Sequence, residues 1–387
     1  MFSEMCKEMM SREGAGSNME IFPCVNAENP VEVYRSIPRL SRLAVKSEEE
    51  LLGKLDLNVS FVQRVKNRRM RNRQYAGQIR SNIAEMKAFI ASHQIDCVVI
   101  HNGGYVGDDL CNQLLEAAYE AKVARRIMVF HSDFHKSFLR KLWCARYDRM
   151  INRCATQTVT VSEFTRKRLL DNSFLNKNME VIYNGLSFED QEDIDTKKEK
   201  LSYIPGAIHL GMVGNFSANK GQLEMLKSVN AVRGAVPHKL QVFLIGNIYD
   251  QEYYEKCVSY LAESGLQDIV GIHQGIHNAG EYYELFDVTI VPSLYDESFG
   301  LISVESMRAG VPVVAFACGG IPEVVKNGVD GFVVEVGNVD LMAEAIVKIL
   351  SDDSLAKELG RNAKRDYHGN FSRSSMGDKY VQLINGL

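Results

Sequence analysis

The sequence lacks the features that mark several large classes of protein. It has no run of eighteen consecutive apolar residues, so it predicts no helix that could span a membrane. Its 8 cysteines are widely scattered without a C-x-x-C pair, which argues against a zinc site or a disulfide framework and for thiols in a reducing compartment. Residues 1–14 mix acidic with apolar side chains, unlike a signal peptide. We therefore expect a cytoplasmic protein, and its length of 387 residues predicts two domains.

Basic residues are concentrated in one part of the chain. The whole sequence has 45 Lys and Arg against 49 Asp and Glu, which argues against a nucleic-acid partner. Residues 61–170 nevertheless hold 20 basic against 9 acidic side chains, and the densest run extends from Arg64 to Arg73. Two interpretations stay open for this run. It is either the solvated face of a helix, or a peripheral contact with anionic lipid at the inner face of the membrane.

Short apolar, β-branched runs alternate with longer stretches of helical spacing. Such alternation predicts βαβ units with buried parallel strands. Two consecutive series of this kind predict two doubly wound α/β domains, which we place at residues 1–190 and 191–387. The predicted strands are 19–25, 96–101, 126–131, 156–162 and 179–183 in the first series, and 208–213, 240–245, 270–273, 288–291, 311–316 and 331–334 in the second.

Loops rich in glycine and polar residues follow three strands of the second series, at 214–221, 292–301 and 317–323. Ligands of a doubly wound sheet bind beyond the carboxyl ends of its strands. Backbone N–H groups and helix N-termini in such loops attract anions, so the three loops predict a phosphate or diphosphate site. Glu297 and Glu305 flank the start of one helix there and can grip vicinal sugar hydroxyls, while a lysine at 220 supplies a point charge for phosphate.

The motifs around these residues occur in a fixed order. In that order they resemble the large retaining glycosyltransferase family four, the group-one transferases, over roughly residues 97–380. The matching segments are Val159-Thr-Val-Ser162-Glu163, Val181-Ile-Tyr-Asn184-Gly185, Val213-Gly214-Asn-x4-Lys220-Gly221, Leu244-Ile-Gly246, Pro292-Ser293, Glu297-Ser-Phe-Gly-Leu, Glu305, Ala309-Gly310-Val-Pro312, Gly319-Gly320-x-x-Glu323 and Asn327-Gly328-x-x-Gly331.

The resemblance implies the GT-B fold, in which two Rossmann-like doubly wound domains face each other across a cleft. Residues 1–190 would form the acceptor-side domain and residues 191–387 the donor domain, with the last helix packing back on the N-terminal domain. Relatives begin with a strand and a glycine-rich loop, whereas residues 2–10 follow helical spacing here and 19–25 match the second strand. We therefore expect the N-terminal strand to be missing and the sequence to be incomplete at that end.

The resemblance also implies a role for each matching residue. Glu305 is expected to bind the ribose of a nucleotide, and Glu297 to contact the donor sugar. Lys220 is expected to neutralise the leaving diphosphate. Relatives usually carry an arginine at the position of Asn215, so this chain would have one cation fewer at the leaving group. The implied donor-binding residues are Gly214, Asn215, Lys220, Glu305 and the backbone N–H groups of Phe299, Gly300 and Leu301.

The first half supplies the candidate acceptor side. The family places a histidine at the position of His131, facing acceptor and donor hydroxyls, and a capping or core histidine is the alternative interpretation. Gly103, Gly104 and Tyr105 follow the preceding strand. They either line the acceptor side or form an ordinary strand-to-helix turn.

The implied activity is transfer of a sugar from a nucleotide-diphosphate sugar to a glycan or lipid-linked acceptor, with retention, in cell-surface polysaccharide or glycolipid synthesis. No metal or other cofactor is expected, because the family uses helix dipoles and basic side chains for positive charge and the sequence shows no His/Asp ligand cluster of useful spacing. Two alternatives stay open: a catalytically impaired nucleotide-sugar-binding remnant, and a sugar-nucleotide epimerase of the same fold.

Overall fold

The chain divides into two units in a computed structural model. Unit 1 comprises Met1–Val161, Thr165–Ile182 and Gly377–Leu387, and unit 2 comprises Ser162–Phe164 and Tyr183–Met376. The change to unit 2 at Tyr183 comes earlier than the expected boundary, and the chain returns to unit 1 for its last residues. The structure describes residues 24–26, 43–45, 61–102, 105, 109–132, 138–175, 178–187, 192–236 and 238–385.

Unit 1 contains a four-stranded parallel sheet in the order β3-β4-β5-β6. Its central strand β4 ends in three fully buried residues, Met128, Val129 and Phe130, as a continuous apolar run in a parallel sheet predicts. Two short strands, β1 and β2, pair in parallel in a separate sheet. The strands are β1 (Cys24–Asn26), β2 (Leu43–Val45), β3 (Cys97–Asn102), β4 (Arg125–Phe130), β5 (Gln157–Thr160) and β6 (Met179–Val181).

Helices alternate with these strands. The helices are α1 (Phe61–Ser92), α2 (Asp109–Glu120), α3 (Phe138–Cys154) and α4 (Glu163–Asn172). Among the described helices of the chain, none is both long and apolar enough to cross a membrane. The expectation of a missing first strand and glycine loop concerns residues 1–23, which lie outside the described residues, as do Gly103 and Gly104.

Unit 2 contains a six-stranded parallel sheet in the order β12-β11-β10-β7-β8-β9. All residues of β8, β10 and β11 are buried, because helices cover both faces of the sheet. The strands are β7 (Ile208–Val213), β8 (Leu240–Ile245), β9 (Val270–His273), β10 (Val288–Val291), β11 (Val313–Phe316) and β12 (Gly331–Val334). The two parallel α/β units predicted by the alternating pattern are therefore confirmed.

The helices of unit 2 follow its strands with short connections. They are α5 (Ile194–Lys200), α6 (Gln222–Val232), α7 (Gln251–Ser264), α8 (Leu301–Ala309), α9 (Ile321–Val324), α10 (Val339–Leu350), α11 (Asp353–Asp366) and α12 (Arg373–Asn385), the last continuing into unit 1. Strands β7 and β10 are neighbours although far apart in sequence, and the strand order reverses between them. The loops that follow these two strands therefore begin at the point where doubly wound sheets bind ligands.

Candidate functional site

A lysine and a glutamate from these two loops form the centre of the candidate site. The Nζ atom of Lys220, at the end of the loop after β7, lies 2.5 Å from Oε1 of Glu297, in the loop after β10. The Ser293 hydroxyl donates to the same Oε1 over 3.1 Å. The side chains of Lys220 and Glu297 are 27% and 25% exposed, so a ligand in the surrounding solvent can reach both charges.

The loop after β11 holds the backbone of Glu297 in place. The N–H of Gly320 donates to the carbonyl of Glu297 over 2.7 Å. A Cβ atom at Gly319, where φ is +59°, would lie 2.1 Å from that carbonyl oxygen. The two loops can approach this closely only because a glycine stands at 319.

Helix α8 begins directly after Gly300, whose φ of +99° lies in the left-handed region. The preceding Phe299 is buried and stacks on Tyr183, with ring centroids 5.7 Å apart. The first N–H groups of a helix have no acceptor within it, and the helix dipole favours negative charge at that end. The backbone from Phe299 to Leu301 therefore provides hydrogen-bond donors beside the Lys220–Glu297 pair.

Glu305 lies one turn inside α8 and is partly buried. Burial raises the pKa of its carboxyl, and the nearby Tyr283 hydroxyl and Arg308 guanidinium offset part of that shift. The carboxylate accepts hydrogen bonds and is held in a region of low dielectric, where a hydrogen bond to a ligand hydroxyl is strong.

Asn215 and Asn247 connect the loops at the ends of three neighbouring strands by hydrogen bonds. Its Oδ1 accepts from the N–H of Asn247 over 3.2 Å, and Oδ1 of Asn247 accepts from the N–H of Gly275 over 2.9 Å. The Gln222 side chain donates to the carbonyls of Gly214 and Asn215 over 3.1 Å and 3.0 Å. The amide of Asn215 thus holds the loop that carries Lys220 at the edge of the sheet.

In unit 1, His131 follows the carboxyl end of β4 and is partly exposed. Its Nε2 lies 2.8 Å from Nδ1 of His101, at the end of β3, and the two rings stack with centroids 5.1 Å apart. Burial lowers the pKa of His131 to about 4, and burial together with His131 lowers the pKa of His101 well below its usual value. Both imidazoles are therefore neutral near pH 7.

The Tyr105 side chain lies in the core of unit 1. It is 5% exposed, and its hydroxyl donates to the carboxylate of Asp148. The other carboxylate oxygen of Asp148 accepts from the N–H of Phe174 over 2.8 Å. A buried phenol and a buried carboxylate each need a hydrogen-bond partner, and here each is the partner of the other.

Sequence reasoning missed several partners of the candidate residues. Ser293 is one of them, and its hydroxyl four residues before Glu297 is a usable signal in the sequence. The sequence gave no signal for the contacts of His101 with His131 and of Asn247 with Asn215, because each pair meets only through strand pairing. Within the described part of the chain, no group of three or more His, Cys, Asp or Glu side chains could hold a metal ion.

Both halves of the sequence match models of known families. Residues 193–366 match the model described as Glycosyl transferases group 1, and residues 31–190 match Glycosyltransferase Family 4. The capsular polysaccharide biosynthesis glycosyltransferase CapM of Staphylococcus aureus is 24% identical over 241 residues, which are 60% of this chain and 62% of CapM. A D-inositol 3-phosphate glycosyltransferase of Streptomyces griseus is 35% identical over 128 residues, 32% of this chain and 27% of that protein.

This chain spans about three fifths of the length of CapM and of two further curated glycosyltransferases that it matches. Solved structures are similar over nearly the whole chain. A glycosyltransferase of Rickettsia africae has a TM-score of 0.73 at 19% identity, covering 96% of this chain and 99% of that one. HepE of Anabaena, in complex with UDP and glucose, has a TM-score of 0.70 at 17% identity, covering 100% and 96%. Glycosyltransferase family models match both halves of the sequence, and solved glycosyltransferases share its fold. The chain therefore belongs to the group 1 glycosyltransferases and has their GT-B fold.

Proposed function

We propose that this protein transfers a sugar from a nucleotide-diphosphate sugar to an acceptor hydroxyl, and that the Lys220–Glu297 pair is the centre of its donor site. The observation that carries the proposal is the convergence of Lys220, Glu297 and Ser293 beside the start of α8. A cation, an accessible carboxylate and helix N–H groups in one place match the phosphates and hydroxyls of such a donor.

Each group has a chemical task in this proposal. Glu305 accepts hydrogen bonds from the ribose hydroxyls, and the carboxylate of Glu297 accepts from a hydroxyl of the donor sugar. When the diphosphate arrives, the ammonium of Lys220 exchanges its contact with Glu297 for the phosphate oxygens. The N–H groups from Phe299 to Leu301 donate to the β-phosphate and to sugar hydroxyls. His131 contacts a hydroxyl of the bound sugar.

The reaction retains the configuration at the anomeric carbon. The bond from that carbon to the β-phosphate oxygen breaks while the acceptor oxygen attacks from the same face, and the acceptor proton passes to the departing diphosphate. Lys220 and the dipole of α8 stabilise the charge that develops on the leaving group, so the proposed reaction uses no metal. Asn215 donates hydrogen bonds in place of the usual arginine, and the leaving group is stabilised less strongly as a result.

We propose a glycan or lipid-linked acceptor, in polysaccharide or glycolipid synthesis at the cytoplasmic face of the membrane. The S. aureus relative is described as acting in capsular polysaccharide biosynthesis. The run from Arg64 to Arg73 lies within the 32-residue helix α1, which suits contact with anionic headgroups. Reversing the charge of its six basic residues should abolish sedimentation with phosphatidylglycerol vesicles. Equal sedimentation of the variant would assign the run to a solvated helix face.

The direct test is calorimetric titration with UDP, GDP and ADP in the presence of EDTA, followed by the sugar conjugate of whichever nucleotide binds. UDP comes first, because HepE was solved with UDP and glucose. Release of nucleoside diphosphate that depends on an added acceptor supports the transferase. Binding without turnover supports the impaired remnant, and conversion of the nucleotide sugar without an acceptor supports the epimerase. Absence of binding by all three nucleotides would refute the donor site.

A further inference from the structure

We propose that His101 is a positioning residue for His131. Its Nδ1 engages Nε2 of His131, so that Nδ1 of His131 is the ring nitrogen left for a sugar hydroxyl. That the ligand of His131 is a sugar hydroxyl rests on the proposed function. The geometry of the histidine pair itself does not depend on it.

Strand pairing brings the two rings together. In the parallel register of β3 and β4, His101 lies opposite Val129, and Asn102 lies opposite Phe130. The N–H of His131 donates to the carbonyl of Asn102 over 3.1 Å, which continues the ladder one residue past the end of β4. The backbone that carries both histidines is therefore fixed by sheet hydrogen bonds, and the two rings lie close together, with 2.8 Å between Nδ1 of His101 and Nε2 of His131.

The surroundings of His101 restrain its ring. It lies against the buried side chain of Tyr380, with ring centroids 5.9 Å apart. Its Nε2 is buried, and its backbone carbonyl accepts from the thiol of Cys111. His101 is thus held on several sides, and a residue held in this way can orient a more exposed neighbour.

The pair also sets the hydrogen-bonding character of His131. Because both rings are neutral near pH 7, one hydrogen lies between the two facing nitrogens. If Nε2 of His131 carries it, Nδ1 of His131 accepts a hydrogen bond from a substrate hydroxyl. If Nδ1 of His101 carries it, Nδ1 of His131 is protonated and donates one. In either arrangement the tautomer of His131 is linked to that of His101, whose ring is restrained by its surroundings, whereas an isolated imidazole populates both tautomers freely.

The test observes the tautomer of His131 directly. The imidazole ¹⁵N shifts of His131 are measured by NMR at pH 7.5 in the full chain, in the His101→Phe variant, which keeps an aromatic ring but no nitrogen, and in His101→Asn, whose amide stands near the position of Nδ1. Tyr380→Phe is the matched control, because it removes a buried hydroxyl beside the same ring and leaves the histidine pair intact.

We expect one tautomer of His131 in the unaltered chain and in Tyr380→Phe, and a mixture in His101→Phe. We also expect kcat to fall about tenfold to a hundredfold in His101→Phe, since a misplaced contact group costs that much, with unchanged affinity for the nucleoside diphosphate. Compared with His101→Phe, His101→Asn should partly restore the single tautomer of His131 and partly restore kcat. If the phenylalanine variant does not fold, His101→Asn alone is compared with the unaltered chain. Unchanged ¹⁵N shifts of His131 in His101→Phe, or lowered stability of that variant with wild-type kcat, would overturn the proposal. A lack of nucleotide binding by the unaltered chain would instead refute the proposed function.

Discussion

The ammonium of Lys220 and the carboxylate of Glu297 form an ion pair between loops that lie 77 residues apart in the sequence. In the absence of ligand each group neutralises the other, and Ser293 adds a second donor to the same carboxylate oxygen. A phosphate that binds Lys220 must therefore compete with Glu297. This competition distinguishes the effects expected of the two residues on binding and on turnover.

Replacing Lys220 by methionine keeps the aliphatic chain and removes the charge. We expect kcat to fall about 10²-fold to 10³-fold, because a donor to the developing negative charge is lost. Affinity for the nucleoside diphosphate should fall as well, which calorimetry measures. Lys227→Met is the matched control, since that half-buried lysine pairs with Glu224 on α6. Wild-type kinetics in Lys220→Met would remove this residue from the leaving-group site.

Glu297→Gln should separate binding from turnover, whereas Lys220→Met should lower both. The amide cannot neutralise Lys220, so the ammonium becomes fully available to phosphate. We expect affinity for the nucleoside diphosphate to stay the same or to rise, while turnover of the nucleotide sugar falls. Isothermal titration and steady-state rates on the same preparation test both expectations. Weaker binding of the diphosphate in Glu297→Gln would contradict the competition between Glu297 and phosphate.

Glu305→Gln should weaken nucleotide binding about tenfold, because a hydrogen bond to a charged acceptor contributes about 1.5 to 3 kcal/mol and an amide retains part of it. The unaltered protein should discriminate against a 2′-deoxyribose nucleotide, and the variant should discriminate less. Since burial raises the pKa of Glu305, the carboxylate is protonated at a higher pH than usual. Nucleotide affinity should therefore decline on acidification in the unaltered protein and stay flatter in the variant. Equal discrimination by both proteins would argue against the ribose assignment.

Gly319→Ala should damage the site through a clash of the backbone. The new Cβ would lie 2.1 Å from the Glu297 carbonyl oxygen at a φ of +59°, so the loop that carries Glu297 must shift. We expect a loss of stability of about 2 kcal/mol or more together with a loss of turnover. Gly337→Ala is the control, because φ is +78° there but no atom lies within 4 Å of the added Cβ. That variant should lose about 1 kcal/mol and keep its kinetics.

Asp330 should make the free energy of unfolding depend on pH. Burial raises its pKa to about 6, and the neighbouring Asp366 adds to the shift. The native state then binds the proton more tightly than the unfolded chain. Its stabilising contribution is therefore present below about pH 4 and is lost as the pH rises through about 6, amounting to about 3 kcal/mol.

Denaturant unfolding of the Asp330→Asn variant between pH 4 and pH 8 tests this expectation. The asparagine keeps an oxygen that accepts from the Lys326 N–H, as Asp330 does over 2.7 Å, but it does not ionise. Its unfolding free energy should change less across that range than that of the unaltered protein. Asp268→Asn, at an exposed position, should leave the pH dependence as it was. An identical pH dependence in Asp330→Asn and the unaltered protein would contradict the assignment.

Local patterns in the sequence were sufficient to predict the strands of unit 2. The ranges predicted for β7, β8, β9, β10 and β12 coincide with the observed strands. The predicted strand 311–316 begins two residues later, at Val313, because Pro312 has no N–H to donate to the sheet. The positions and ends of these strands depend on runs of consecutive apolar residues and on the absence of an N–H group in proline. Both are properties of residues that are neighbours in the chain.

The sequence by itself also determined the family and the residues that bear charge at the candidate site, since both are carried by short ordered motifs such as the one that contains Glu297 and Glu305. Only the tertiary structure decided which partners those residues have. Asn215 meets Asn247, His131 meets His101, and Tyr105 turns its hydroxyl to a buried carboxylate. These contacts depend on strand order and register, which bring together residues that are distant in the chain. A local sequence pattern does not specify which distant residues meet.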